Sequence, residues 1–218
     1  MTAWNIIFVL DISNSMNVKD VFYNNHQVSR LTLAKKIIEN NIKKLNNKYW
    51  LVIFSDSFNY FIPPTYDKIN FLNYLKSLNT NFLDWWQTNL KALSSWLNNY
   101  LWKLDQIIFL SDFDFKSLNL NINNYTYFIW IWKEINWTVK NKYWETLFKN
   151  WKVLLSKLNK NILIKLSKKY WEYYVINHYN KWQTLKFLSK LNNKNYLEKK
   201  DKINIKLIIW FWLILISL

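Results

Sequence analysis

The chain has 218 residues, 51% of them hydrophobic, which is enough for one sizeable core, and it carries a formal net charge of +16. It has no cysteine, which excludes disulfides and thiolate metal sites, and His26 and His178 stand apart in polar, loop-like contexts that support no zinc-binding pair. The lysines are scattered, and they accompany an enrichment in Asn, Ile, Phe and Tyr, so the charge reads as solvated surface and no nucleic-acid partner is expected.

The first apolar run, residues 6–10, follows Met1 almost at once without a basic stretch before it, so a first strand is expected there rather than a secretory leader. It leads into FVLDISNSM, where Asp11, Ser13 and Ser15 are spaced two apart. In extended backbone that spacing points all three side chains the same way, and Asn14 between the serines tolerates a left-handed turn. Residues 31–45 repeat apolar positions at three and four, with Ser29 or Thr32 able to cap the helix. Residues 51–54 form a second strand. Residues 58–62, tightly linked to it and closed by Pro63 and Pro64, suit an antiparallel edge strand.

Helices are expected over residues 69–78, after Asp67, and 90–101, after Thr88. Strands at 107–110 and 127–131 follow, the first ending close to Asp112. An inserted β-hairpin at 144–156 then precedes a helix at 159–170, a last strand at 173–176 and a closing helix at 184–191. Near-continuous apolar strands alternating with helices specify an α/β, doubly wound, Rossmann-like fold: a mostly parallel six-stranded sheet with helices on both faces.

The domain is expected to occupy residues 1–192, followed by a basic linker at 193–206 and a hydrophobic segment, LIIWFWLILISL, at 207–218. As a helix that segment spans roughly 18 Å, short of a ~30 Å hydrocarbon core. It is nonetheless apolar all round and follows a basic stretch, which favours a single C-terminal anchor in the cell membrane over a core helix. Lys199, Lys200, Lys202 and Lys206 put the domain on the cytoplasmic side.

Fifteen tryptophans and no glycine occur in the chain, where the usual glycine share of ~7% predicts about 15 glycines. The tryptophans stand where glycine is wanted. Trp102 and Trp171 follow helical runs at C′ positions. Trp151 follows Asn150 between two extended runs, where Asn-Gly would be a strong hairpin signal. Trp85 and Trp86 occupy a tight loop, and FIWIWKEINW makes sense as a strand ending only as FIGIGKEING. These tryptophans read as glycines of the organism, encoded by a reassigned UGA codon and written here as Trp.

In a sheet of order 3-2-1-4-5-6 the first and fourth main strands are neighbours, and ligands bind in the crevice outside their carboxyl ends. Asp11, Ser13 and Ser15 leave the first strand there, Asp112 the fourth, and DWWQTNLKAL, read as DGGQTNLKAL, brings Thr88 to the same place at a helix start. Two Asp, two Ser and one Thr make an oxygen-only set suited to a hard cation such as Mg²⁺. If the neutral hydroxyls bind directly and the carboxylates act through water, the cation keeps its charge for a carboxylate of another molecule.

This constellation resembles the von Willebrand factor type A family, whose metal-ion-dependent adhesion site combines D-x-S-x-S with a distant Thr and a distant Asp. The resemblance runs from residue 5 to about 191. It implies Ser13, Ser15 and Thr88 as direct ligands of Mg²⁺ or Mn²⁺, with Asp11 and Asp112 holding waters, and a protein partner that supplies an Asp or Glu carboxylate. SRLTLAKKII, WLVIFSDSFNYFIPPTYD, FIWIWKEINW and KLNKNILIKLSKKYWEYYVI look like the bacterial membrane-anchored members related to the aerotolerance proteins. That likeness implies a C-terminal membrane helix and assembly with partner proteins, sometimes alongside a regulatory ATPase. Phe113 departs from the pattern, since glycine usually follows the distant Asp.

FLSDFDF also resembles the haloacid-dehalogenase-like phosphatases, with Asp112 as nucleophile and Asp114 as acid or base. That motif opens its own family near the amino terminus and continues to a hydroxyl residue, where this chain has Phe115. No His, Cys or Lys is placed as a nucleophile or general base, so a binding domain is expected and not an enzyme.

Overall fold

The computed structural model describes residues 5–43, 46–55, 58–80, 90–102, 105–114 and 120–131, with backbone alone at 58–60 and 125, and the backbone of 137–138, 148–149, 152–153, 155–156, 173–176 and 178–179. Strand β1 (Ile6–Asp11) is buried along its whole length. A 3-10 turn, Asn14–Asn17, follows it with Ser13 at φ −62°. Asn14, which could tolerate a left-handed conformation, is not among the positive-φ residues. Positive φ occurs instead at Asn24 and Asn25, at 48° and 65°, which join β2 (Val21–Tyr23) to β3 (His26–Val28) in an antiparallel hairpin. Two successive positive-φ residues are what a two-residue I′ hairpin turn requires, and Asn is the side chain after glycine that best tolerates them.

Helix α1 (Arg30–Ile42) begins where Ser29 Oγ accepts from Thr32 N at 3.1 Å, one of the two caps expected. Strand β4 (Tyr49–Phe54) and strand β5 (Phe58–Thr65) pair antiparallel. Strand β5 runs through Pro63 and Pro64 instead of ending before them. The register shifts there from Leu51↔Ile62 to Tyr49↔Thr65, and an irregular edge strand is where a sheet can accept residues with no N–H to donate.

Helices α2 (Lys68–Ser77), capped by Asp67, and α3 (Leu90–Tyr100) follow, then β6 (Gln106–Ser111) and β7 (Tyr125–Ile131). Of the short strands β8 (Trp137–Thr138), β9 (Phe148–Lys149), β10 (Lys152–Val153) and β11 (Leu155–Ser156), β9 and β10 pair antiparallel with Lys149 opposite Lys152. A hairpin thus lies within the expected insertion, and two residues, Asn150 and Trp151, stand between its paired ends. Strand β12 (Tyr173–Ile176) is the last expected strand. Strand β13 (His178–Tyr179) pairs with β2, so His26 and His178 lie on strands of one small sheet, β13-β2-β3, and not in loops.

The central sheet has six strands in the order β12-β7-β6-β1-β4-β5, parallel throughout except at edge strand β5. Alternate residues of β1 serve opposite faces. Ile7 and Val9 join Leu90, Leu93 and Leu97 of α3 with Ile107, Phe109, Phe128 and Trp130 in one core. On the other face Phe8 meets Tyr49 and Phe71 of α2, at 6.4 and 6.2 Å between ring centroids. Burial on both faces is why these strands read as unbroken apolar runs.

Trp102 lies two residues past α3, 77% exposed, and is not among the positive-φ residues. The helix ends there without the left-handed C′ residue that a glycine would supply. The expected helices at 159–170 and 184–191, the linker at 193–206 and the segment at 207–218 lie outside the described residues, as do Trp85, Trp86, Trp171 and Thr88. Among the described residues no helix is long and apolar enough to cross a membrane.

Candidate functional site

Strands β1 and β6 run parallel with Leu10 opposite Leu110, so Asp11 and Asp112 leave the sheet next to each other at its carboxyl edge. This is the switch point of the topology, since the chain goes from β1 to β4 on one side and returns to β6 on the other. Both carboxylates are buried. Asp11 Oδ1 accepts from Ser13 N at 2.8 Å and Oδ2 from the Ser111 hydroxyl at 2.5 Å. The first bond folds the chain back after β1, so that the Ser13 and Ser15 hydroxyls come within 3.0 Å of each other.

Asp112 is held differently. Its Oδ1 accepts from Asp114 N at 3.2 Å and its Oδ2 from Arg30 Nη1 at 2.7 Å. Arg30 is wholly buried at the start of α1, and its Nε and Nη2 grip Asp20 at 3.0 and 2.6 Å. Burial opposes the guanidinium's charge, but Asp112 and Asp20 more than offset it and push its pKa up. Burial, followed by the neighbouring Asp112 charge, pushes Asp11 up to about 7, against hydrogen bonds from Ser111 and Ser13 that pull it down.

Phe113 takes the left-handed conformation, φ 53°, where glycine is favoured. Its N–H donates to Ser111 Oγ at 2.8 Å, and its buried ring packs against Phe109, Phe128 and Trp130, with centroids 5.5, 5.7 and 4.7 Å away. The loop after Asp112 therefore keeps the backbone shape a glycine would give, and core packing offsets the steric cost.

Four of the five expected site residues, Asp11, Ser13, Ser15 and Asp112, thus gather at one end of the sheet. Thr88 lies outside the described residues; Thr80 accepts from Asn17 Nδ2, at the end of the serine turn, at 2.6 Å. The donors are carboxylates and hydroxyls only, which fits a small hard cation and not a soft one. Among the described residues no three His, Asp or Glu side chains cluster as metal ligands.

Arg30, Asp20 and Ser111 were not singled out in the sequence. Arg30 left one signal: a cation at a helix N-terminus opposes the helix dipole and calls for an acidic partner.

A model of the von Willebrand factor type A domain matches residues 6–114, from the first residue of β1 to just past Asp112. The chain belongs to the von Willebrand factor type A domain family. Two solved structures share the fold of this von Willebrand factor type A domain over most of its length. BatB from Bacteroides thetaiotaomicron has a TM-score of 0.69 at 19% identity, over 86% of this chain and 99% of that one. An aerotolerance-related membrane protein from Bacteroides fragilis has a TM-score of 0.69 at 17% identity, over 88% of this chain and 98% of that one. No curated protein matches the chain.

Proposed function

We propose that this von Willebrand factor type A domain captures an acidic group of a protein partner through a divalent cation, Mg²⁺ or Mn²⁺, and catalyses no reaction. The observation that carries this reading is the meeting of Asp11 and Asp112 at the switch point beside two serine hydroxyls 3.0 Å apart. Ser13, Ser15 and Thr88 would hold the ion, with Asp11 and Asp112 supporting it through water. The cation supplies an electrophilic position for an external carboxylate. Asp11 orders the serine turn through its bond to Ser13 N, and Ser111 fixes the other oxygen of Asp11.

The phosphatase reading has less support. Asp112 is buried with both oxygens engaged by Arg30 and Asp114 N, which suits a nucleophile poorly. A membrane location, through residues 207–218, draws support from the hydrophobic C-terminal sequence and from the description of the Bacteroides fragilis relative as a membrane protein. Assembly with other proteins, a regulatory ATPase among them, belongs to the same reading.

The reading includes glycine for tryptophan at most of the written Trp positions. Its supports are the Trp130 Nε1, buried without a hydrogen-bond partner among the described residues, and the two residues, Asn150 and Trp151, between the paired ends of β9 and β10. An orphaned buried N–H costs about 1–3 kcal/mol, and a two-residue hairpin link favours Asn-Gly. Glycines at 85 and 86 would also let the backbone carrying Thr88 approach a cation closely.

The test is a pull-down with the full chain in Mg²⁺ and in EDTA. Capture that requires Mg²⁺ and is lost in Asp11→Ala is expected. Capture indifferent to chelation contradicts the reading.

A further inference from the structure

The fully buried ion triad Asp20–Arg30–Asp112 lies behind the site, and the cation reading assigns it no task. Arg30 is placed against the grain of its own helix: a guanidinium in the first turn of α1 faces the positive end of the helix dipole. It is also inaccessible to water, with 0% exposure, and so are its partners, Asp20 at 0% and Asp112 at 1%. Such a cation persists only where carboxylates hold it from more than one side. Among the described residues its fork is divided between two of them. Nε and Nη2 both go to Asp20, at 3.0 and 2.6 Å, and Nη1 goes to Asp112 Oδ2 at 2.7 Å. A long contact from the same Nη1 to the Ser15 carbonyl, 3.5 Å, touches the serine turn as well.

The charges of this buried group add up in an informative way. Among the described residues Asp20 and Arg30 cancel, leaving Asp11 and Asp112, whose charge is −2 once Asp11 gives up its proton, which is what one divalent cation neutralises. Without Asp20, Arg30 would be balanced by Asp112 alone, and the pair nearest the serines would face a cation with one negative charge fewer. We propose that Asp20 and Arg30 are positioning residues of the site: Asp20 neutralises Arg30, and Arg30 pins one oxygen of Asp112, so that Asp112 is held in place with its charge available to a divalent cation. This inference rests on the cation reading above and adds to it a residue pair that the adhesion motif does not contain.

Asp20 is the informative position because its carboxylate grips the outer side of Arg30 and approaches the site only through that residue. Asp20→Asn keeps the shape and removes the neutralising charge. Arg30→Lys keeps a positive charge but replaces the planar fork by a point charge that cannot bridge both carboxylates in the same geometry. Asp105→Asn is the control. Asp105 is an equally buried carboxylate, bonded to Asn5 at 2.9 and 2.8 Å at the opposite end of the sheet, so its loss burdens the fold without touching the site.

The experiment is a Mn²⁺ titration, followed by electron paramagnetic resonance, of the full chain with its glycines restored as the wild type, with a melting curve for each variant so that binding is compared on folded protein. Asp20→Asn is expected to weaken Mn²⁺ binding by about tenfold or more, the range for partners that act through a ligand. Arg30→Lys should weaken it too, and Asp105→Asn should leave the Kd unchanged while lowering Tm. Tight Mn²⁺ binding by the wild type that Asp20→Asn and Arg30→Lys leave unaltered overturns this inference alone. Equal weakening in Asp105→Asn also overturns it, because the effect would then be general destabilisation. Wild-type chain that binds no Mn²⁺ overturns the cation reading itself, and this inference with it.

Discussion

At the scale of single residues, Phe113 shows two opposing terms at one position. Its φ of 53° costs a non-glycine residue roughly 1–2 kcal/mol. In the chain as written, removing its buried ring forfeits about 3–5 kcal/mol of packing against Phe109, Phe128 and Trp130, of which Phe109 and Phe128 remain when position 130 is glycine. Phe113→Gly is therefore expected to destabilise the chain by about 2 kcal/mol although glycine suits the backbone better, and urea unfolding measures it. An unchanged or higher stability would mean that the ring contributes little and the turn is strained without compensation. The same residue marks the limit of reading a sequence by motif. The family pattern has glycine here, and only the aromatic surroundings explain how Phe keeps the glycine conformation.

At the scale of elements, the main strands were legible because burial on both faces leaves unbroken apolar runs such as IIFVL and IIFL. The hairpin of β2 and β3 was not. VFY and HQV are too short to show a period, and the Asn24-Asn25 pair between them was the available signal. Its positive φ values give a direct prediction. Asn25→Ala should cost about 1 kcal/mol, since alanine has no side chain to support a left-handed turn, whereas Asn25→Gly should be neutral or slightly stabilising. Thermal melts of the two variants check it, and equal Tm values would contradict the assigned turn. Arg30 was illegible for another reason. Burial of a charge depends on partners distant in sequence, and Asp112 lies 82 residues away.

At the scale of the whole molecule, the doubly wound order puts β1 beside β6, and that adjacency alone brings Asp11, Ser13 and Ser15 to Asp112. The strand order was readable from alternation of buried strands and helices, and the two carboxylates from their places at strand ends. The composition bears on the whole chain too. If the written tryptophans are glycines, mass spectrometry of the protein from its own cells will find glycine in the peptide covering position 130. Restoring glycine at the loop and turn positions 85, 86 and 151 in a recombinant chain should also raise solubility and Tm. Tryptophan at position 130 in the native protein, or identical behaviour of the two recombinant chains, would contradict the recoding.

Whether the Asp11 and Asp112 corner holds a cation decides what this domain can bind. The most direct measurement is isothermal calorimetry of Mg²⁺ into the metal-free full chain, in its glycine-restored form, beside the variants Asp11→Ala and Ser13→Ala. One saturable Mg²⁺ site is expected per chain, abolished by Asp11→Ala, which loses a charge and the bond that orders Ser13, and weakened by Ser13→Ala. Absence of a saturable site, or one that Asp11→Ala leaves intact, would contradict it.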